Sequence, residues 1–224
     1  MALQNRVAPD GGIFTDPARG LLMGNRGGVL HDDDKRLTAR RWASKHWIAC
    51  ALTYKGRRET IMAPRHYTQL FFLDEATALA AGHRPCALCR RGDFLRFTQL
   101  WQRLHGMARP PKVAEVDAVL HAERVGDSRA KVKFAAKLAD LPSGAMVEVG
   151  SDPTSLYKIG GNYCLYVDGL LLPWSPSGYG TPINADVNQI VRVLTPRSIV
   201  SLIAAGYAPM LHPSARVMSL AKST

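Results

Sequence analysis

Two cysteines stand two residues apart in Gly82-His83-Arg84-Pro85-Cys86-Ala87-Leu88-Cys89, and this spacing restricts the chain more than any other feature. Gly82 stops a short alanine-rich run, and Pro85 prevents a helix from continuing through the segment. The cysteines therefore fall on a tight turn from which both thiols reach one point, the arrangement a tetrahedral zinc ion uses for half of its ligands. Arg84, Arg90 and Arg91 add positive charge that favours thiolate over thiol. A redox pair would want a βαβ context, which the flanking sequence lacks, and two ordinary buried thiols are the bland alternative. For the remaining ligands the leading candidates are Cys50 and His66, with His31 and His83 as substitutes. Cys50 in an apolar run is equally well a core thiol, and a lone histidine is more often structural than a ligand. Cys164 reads as a core residue.

Upstream, Pro9, Gly11, Gly12, Pro17, Gly20, Gly24, Gly27 and Gly28 exclude a long helix between residues 5 and 30 and predict loops with short extended pieces. Met23-Gly24-Asn25-Arg26-Gly27-Gly28 is glycine-rich but lacks the lysine-serine/threonine ending of a phosphate-binding loop. Asp32, Asp33 and Asp34 suit a helix start, which predicts a helix from Lys35 to Lys45. Trp47 to Tyr54 and Arg58 to Ala63 read as a β-hairpin turning at Lys55-Gly56-Arg57. Asp74 is the expected N-cap of a helix from Glu75 to Ala81, and a second helix is expected from about Gly92 to Leu104.

Gly106 to Lys112, with Arg109-Pro110-Pro111, is the clearest break. Residues 113–139 read as part helix and carry a smaller basic cluster, Lys131, Lys133 and Lys137. From Leu141 the pattern is strands and turns, at Ala145 to Val149, Ser155 to Ile159, Tyr163 to Val167 and Leu170 to Pro173. A terminal helix follows Thr195-Pro196. The expected fold class is α+β: a zinc-containing hairpin and helix half at 1–105, a connecting segment at 106–140, and a small antiparallel β half with a terminal helix at 141–224.

Charge indicates the partner. The formal net charge is +11, and residues 1–112 hold 19 lysines and arginines against 9 acids. Clustered cations draw phosphate through Coulomb attraction and counterion release, so a nucleic acid is expected to dock on the N-terminal half. Candidate phosphate contacts are Arg26, Arg40, Arg41, Lys45, Arg57, Arg58, Arg65, Arg84, Arg90 and Arg91, with Trp42, Trp47, Trp101, Tyr54 and Tyr67 as stacking candidates or core. Four cysteines in 224 residues are too sparse for a disulfide framework. No signal-like or membrane-length apolar run is present, so no membrane partner and a cytoplasmic location are expected.

The run Ala76-Thr77-Ala78-Leu79-Ala80-Ala81-Gly82-His83-Arg84-Pro85-Cys86-Ala87-Leu88-Cys89-Arg90 resembles the second half of the Ada-type zinc module of bacterial alkylation-response proteins. The resemblance spans residues 75–91 and implies zinc ligation by Cys86 and Cys89 on a unit that binds the DNA backbone. The family's first cysteine pair, Cys-x-x-x-Cys, has no counterpart upstream, which leaves methyl transfer to Cys50 without a motif. The expected function is zinc-containing DNA binding, in repair or defence, with DNA favoured over RNA. Two other classes stand beside it. One is a nucleic-acid hydrolase using His31, Asp32 and Asp34 to bind magnesium or activate water, and the other is a zinc-stabilised protein-interaction module.

Overall fold

The computed structural model describes residues 2–56, 60–150 and 162–216. The architecture is mixed α+β, with four α-helices and two sheets among the described residues. The first sheet contains β1 (Gln4–Val7), β2 (Ile13–Thr15), β3 (Leu22–Asn25), β4 (Ile48–Ala51), β5 (Leu70–Phe72) and β6 (Arg84–Pro85) in the order β2-β1-β5-β3-β4-β6. The helices are α1 (Glu75–Ala80), α2 (Arg91–Leu104), α3 (Val113–Arg124) and α4 (Arg197–Ala204). The second sheet is antiparallel: β7 (Phe134–Lys137), β8 (Met146–Val149), β9 (Asn162–Val167), β10 (Leu170–Ser175), β11 (Gly178–Tyr179), β12 (Ile183–Asn184) and β13 (Ile190–Val193). Its order is β11-β10-β9-β8-β13-β7, with β12 also on β10.

The alanine-rich helix α1 forms where the sequence predicts it, because Asp74 accepts the Thr77 amide at 2.9 Å and Gly82, at φ +88°, ends it. The His83 amide bonds to the Ala78 carbonyl and the Gly82 amide to the Leu79 carbonyl, the paired bonds of a left-handed helix stop. Every residue of α1 is buried, and its small side chains let three hydrophobic layers meet around it. Ala78 and Ala81 pack on Leu22, Leu70 and Phe72 of the first sheet. Ala76 and Ala80 pack on Met146, Leu165 and Leu172 of the second. Leu79 packs among Phe97, Leu120 and Leu202 on α2, α3 and α4. The strands thus divide between the two halves of the chain while the buried core is shared.

Buried acids at the start of α1 fasten the C-terminal segment. Asp74 accepts the Tyr179 hydroxyl and the His212 amide at 2.8 and 3.0 Å. Glu75 pairs with Arg90 at 2.8 Å and accepts the Tyr207 hydroxyl at 2.6 Å.

Two expected elements are replaced. Residues 35–45 form bends and irregular loop instead of a helix, because the Asp32 carboxylate accepts the Asp34 and Arg36 amides and closes a local turn, with Lys35 in the left-handed region at φ +61°. Among the described residues, the Ile48–Ala51 strand of the expected hairpin has no partner in 60–63. The Ile48–Ala51 strand instead pairs antiparallel with β3 and parallel with β6, and residues 61–62 and 64–66 lie in turns. Long-range pairing with two strands satisfies the backbone groups of β4 on both edges, which a lone hairpin cannot do. The expected Ser155 to Ile159 strand and the arginines Arg57 and Arg58 lie outside the described residues.

Candidate functional site

The register of the first sheet builds the site. Leu22, Ala49 and Phe72 face α1, so the alternate residues of the same strands face away from it. Met23 stands opposite both Phe71 and Cys50, and all three line a cavity of about 420 Å³ on that outer face. Parallel pairing of β6 with β4, through Arg84 N–H to the Trp47 carbonyl and Cys86 N–H to the Ala49 carbonyl at 3.1 and 2.9 Å, carries Cys86 beside Cys50. The turn into α2 then returns Cys89. The ligand atoms of Cys50, Cys86 and Cys89 lie within 4.8 Å of one another, a group able to hold a metal ion. All three cysteines border the cavity.

The amides around the turn point at sulfur. Leu88 N–H donates to Cys86 Sγ at 3.4 Å, and the Ala51 amide favours the Cys89 thiolate. A hydrogen bond from Cys50 pulls the Cys86 thiol down to about 5 and lowers Cys89, while the same contacts and burial push Cys50 up. The three thiols are thus electrostatically linked, and a cation among them would favour their thiolate forms.

His66 is exposed and does not join the three sulfurs. His31 is buried elsewhere, its Nδ1 2.6 Å from Thr68 Oγ1 and its Nε2 3.2 Å from the Ala63 carbonyl. Both ring nitrogens being engaged, His31 braces a loop, and Asp32 caps the turn beside it. Asp34, the third member of the expected hydrolytic group, is exposed and lies 3.7 Å from Arg36. His83 is wedged between Phe72 and Trp47, with burial lowering its basicity. Cys164 belongs to the second sheet's core, where burial pushes its thiol up to about 12.

The expected phosphate contacts divide. Arg26, Arg84 and Arg90 are buried, so none of them lies on an open surface: Arg84 and Arg90 are taken up by carboxylates, and Arg26 borders a cavity. Arg84 grips Asp117 through both prongs at 2.8 and 2.9 Å, and Arg90 bridges Glu75 and Asp93. A guanidinium is long enough to cross a core and satisfy buried carboxylates, and composition does not distinguish that from exposure. Arg40, Arg41, Lys45, Arg65 and Arg91 are exposed. Arg40 and Arg41 meet Arg129 around Trp42 in a cleft of about 190 Å³. Three of those residues, Arg41, Trp42 and Arg129, also border a second cavity of about 190 Å³ that reaches Arg26, Arg124 and Lys131. Arg124 and Arg129 carry no motif. They join the N-terminal arginines only because α3 and the loop after it fold back against Trp42 and Trp47.

Comparison with known protein families, curated proteins and solved structures finds no match to this chain. Fold and site define a mixed α+β protein with a three-cysteine cluster on one sheet face and a basic cleft. No helix among the described residues is long and apolar enough to cross a membrane.

Proposed function

We propose that this is a zinc-containing nucleic-acid-binding protein, with the metal structural and the basic cleft holding the phosphate backbone. The observation that carries the reading is the convergence of Cys50, Cys86 and Cys89. Zinc–sulfur bonds of about 2.3 Å in a tetrahedron require sulfurs about 3.8 Å apart, so the donor set fits with small adjustment. Among the described residues no other histidine, cysteine or carboxylate joins the cluster, so Cys50, Cys86 and Cys89 are the residues that would hold the ion. When bound, the ion supplies a cross-link between β4 and the turn after β6. Those two paired segments also carry Trp47 and His83, whose rings stand 5.1 Å apart beneath the basic cleft. Fixing the sulfur end of the pair thereby fixes the cleft.

Support for a polyanionic partner comes from the cleft's cations. None of Arg26, Arg40, Arg41, Arg124, Arg129 or Lys131 forms an ion pair with a carboxylate among the described residues. The resemblance to the Ada-type module favours DNA over RNA and a role in repair or defence. The test is binding of a short oligonucleotide across a salt series, with elemental analysis of the same protein. Affinity should fall steeply with salt, and Arg40→Ala and Arg41→Ala should each lower the log–log slope by about 1. Absent or salt-insensitive binding refutes the nucleic-acid reading, and a metal-free protein refutes the zinc reading.

A further inference from the structure

Behind the basic cleft, cations are taken out of solvent without a carboxylate in direct ion-pair contact. The Trp47 ring is flanked by the guanidinium carbons of Arg26 at 4.0 Å and Arg124 at 4.1 Å. Arg124, 2% exposed, donates to the Gly82 and Lys45 carbonyls at 2.6 Å each, and its buried Nε has no partner. Arg26 donates to the Gly11 carbonyl at 2.8 Å, and Lys131 Nζ to the Ala80 carbonyl at 2.6 Å. Each of these acceptors is neutral. Five cations border the cavity, Arg26, Arg41, Arg124, Arg129 and Lys131, against one carboxylate, Asp10. Asp10 is itself engaged by the Tyr163 hydroxyl at 2.7 Å.

Such an arrangement is unfavourable for the protein alone, because desolvated charges repel and the nearest carboxylates, Asp10 and Asp117, offset this only in part without pairing with them. Burial is the main cause that lowers Arg26 and Arg124 to about 9 and Lys131 to about 7; Asp10 near Arg26 and Lys131 and Asp117 near Arg124 oppose it, and neighbouring cations add to it. A core arginine normally finds a carboxylate, as Arg84 does in Asp117, so these residues await an anion from outside. The cavity's volume of about 190 Å³ is below the range of about 300–1,000 Å³ typical of drug-sized ligands, which suits a phosphoryl group with little more attached. Planar guanidinium forks match phosphate oxygens, and a lysine supplies a point charge.

We propose that this cavity binds a phosphomonoester, a terminal phosphate that enters past Arg41 and Arg129 and is neutralised by Arg26, Arg124 and Lys131. The inference deepens the nucleic-acid reading, resting on it only for the molecule that delivers the phosphate, either a strand end or a free phosphate compound.

The test uses the full-length protein, inorganic phosphate, and two short oligonucleotides that differ only in a 5′-phosphate or a 5′-hydroxyl. The 5′-phosphorylated strand should bind about tenfold tighter or more, and Lys131→Met should erase the difference. Arg129→Ala, at the exposed mouth, should weaken the preference too and serves if the first variant misfolds. If neither strand binds but inorganic phosphate raises the melting temperature of the wild type and not of the variants, the site stands with a free phosphate compound as ligand, and the nucleic-acid reading falls. Equal binding of the two strands with no stabilisation by phosphate overturns the site and leaves the nucleic-acid reading intact. An effect of phosphate that survives in both variants also overturns it.

Discussion

Replacing Lys131 with methionine should stabilise the ligand-free protein below neutral pH, the reverse of what removing a buried hydrogen-bonding side chain usually does. Lys131 faces Arg124, Arg26 and Lys133, with Asp10 as the opposing charge, and burial is the main cause of its lowering from 10.5 to about 7. At about 1.4 kcal/mol per tenfold change in proton affinity, that lowering corresponds to about 5 kcal/mol against the folded state when the amine is charged. The unfolded chain keeps its proton up to about pH 10.5 while the folded chain releases it near 7. Between these values the unfolded state binds more protons, so stability rises with pH, and the full cost is present only below about pH 7. Methionine removes the charge but also the bond to the Ala80 carbonyl, in the last turn of α1. Setting about 1–3 kcal/mol for that charge-assisted bond against about 5 leaves a net gain of about 2–4 kcal/mol near pH 6, shrinking toward zero by about pH 9. Urea unfolding in phosphate-free buffer, followed by tryptophan fluorescence at several pH values, measures the difference. Parallel stability profiles for wild type and variant, or a variant less stable throughout, refute the reasoning.

Cys86→Ser should abolish stoichiometric metal by elemental analysis, whereas Cys164→Ser, in the second sheet's core, should leave it unchanged. Asp117→Asn should cost about 3–5 kcal/mol, because it breaks a bidentate bond to the buried Arg84 and removes the partner that lies 2.6 Å from His46 Nδ1; the melting temperature should fall by about 10 °C or more. Gly82→Ala should cost about 3 kcal/mol in urea unfolding, since the residue sits at φ +88° and a Cβ there would stand 2.4 Å from Arg124 Cδ.

Where local chemistry decides structure, the sequence is explicit. Asp74 and Gly82 bracket α1, the apolar spacing of Phe97, Leu100 and Trp101 marks α2, and Asp168-Gly169 turns β9 into β10 with both residues at positive φ. The pairing of Cys86 with Cys89 belongs to the same class, because two residues of separation fix their mutual reach. Cys50 as the third sulfur was readable as a candidate, but what brings it to Cys86 is the parallel pairing of β4 with β6, across more than thirty residues. Residues 32–36 misled because an aspartate that opens a helix also closes a tight turn, and helix nucleation without a packed apolar face is unfavourable.

By itself, then, the sequence determined the places of α1, α2 and α4, the turn that presents two thiols, and an excess of positive charge in the N-terminal half. Which arginines face outward was decided only by the tertiary structure. Arg26, Arg84 and Arg90 turn inward, while Arg129, distant in the chain, meets Arg40 and Arg41 around Trp42. The physical reason is range. Capping, turn geometry and periodicity act over a few residues and leave a local signature, whereas the burial of a charge depends on which distant carboxylate or empty cavity the folded chain places against it.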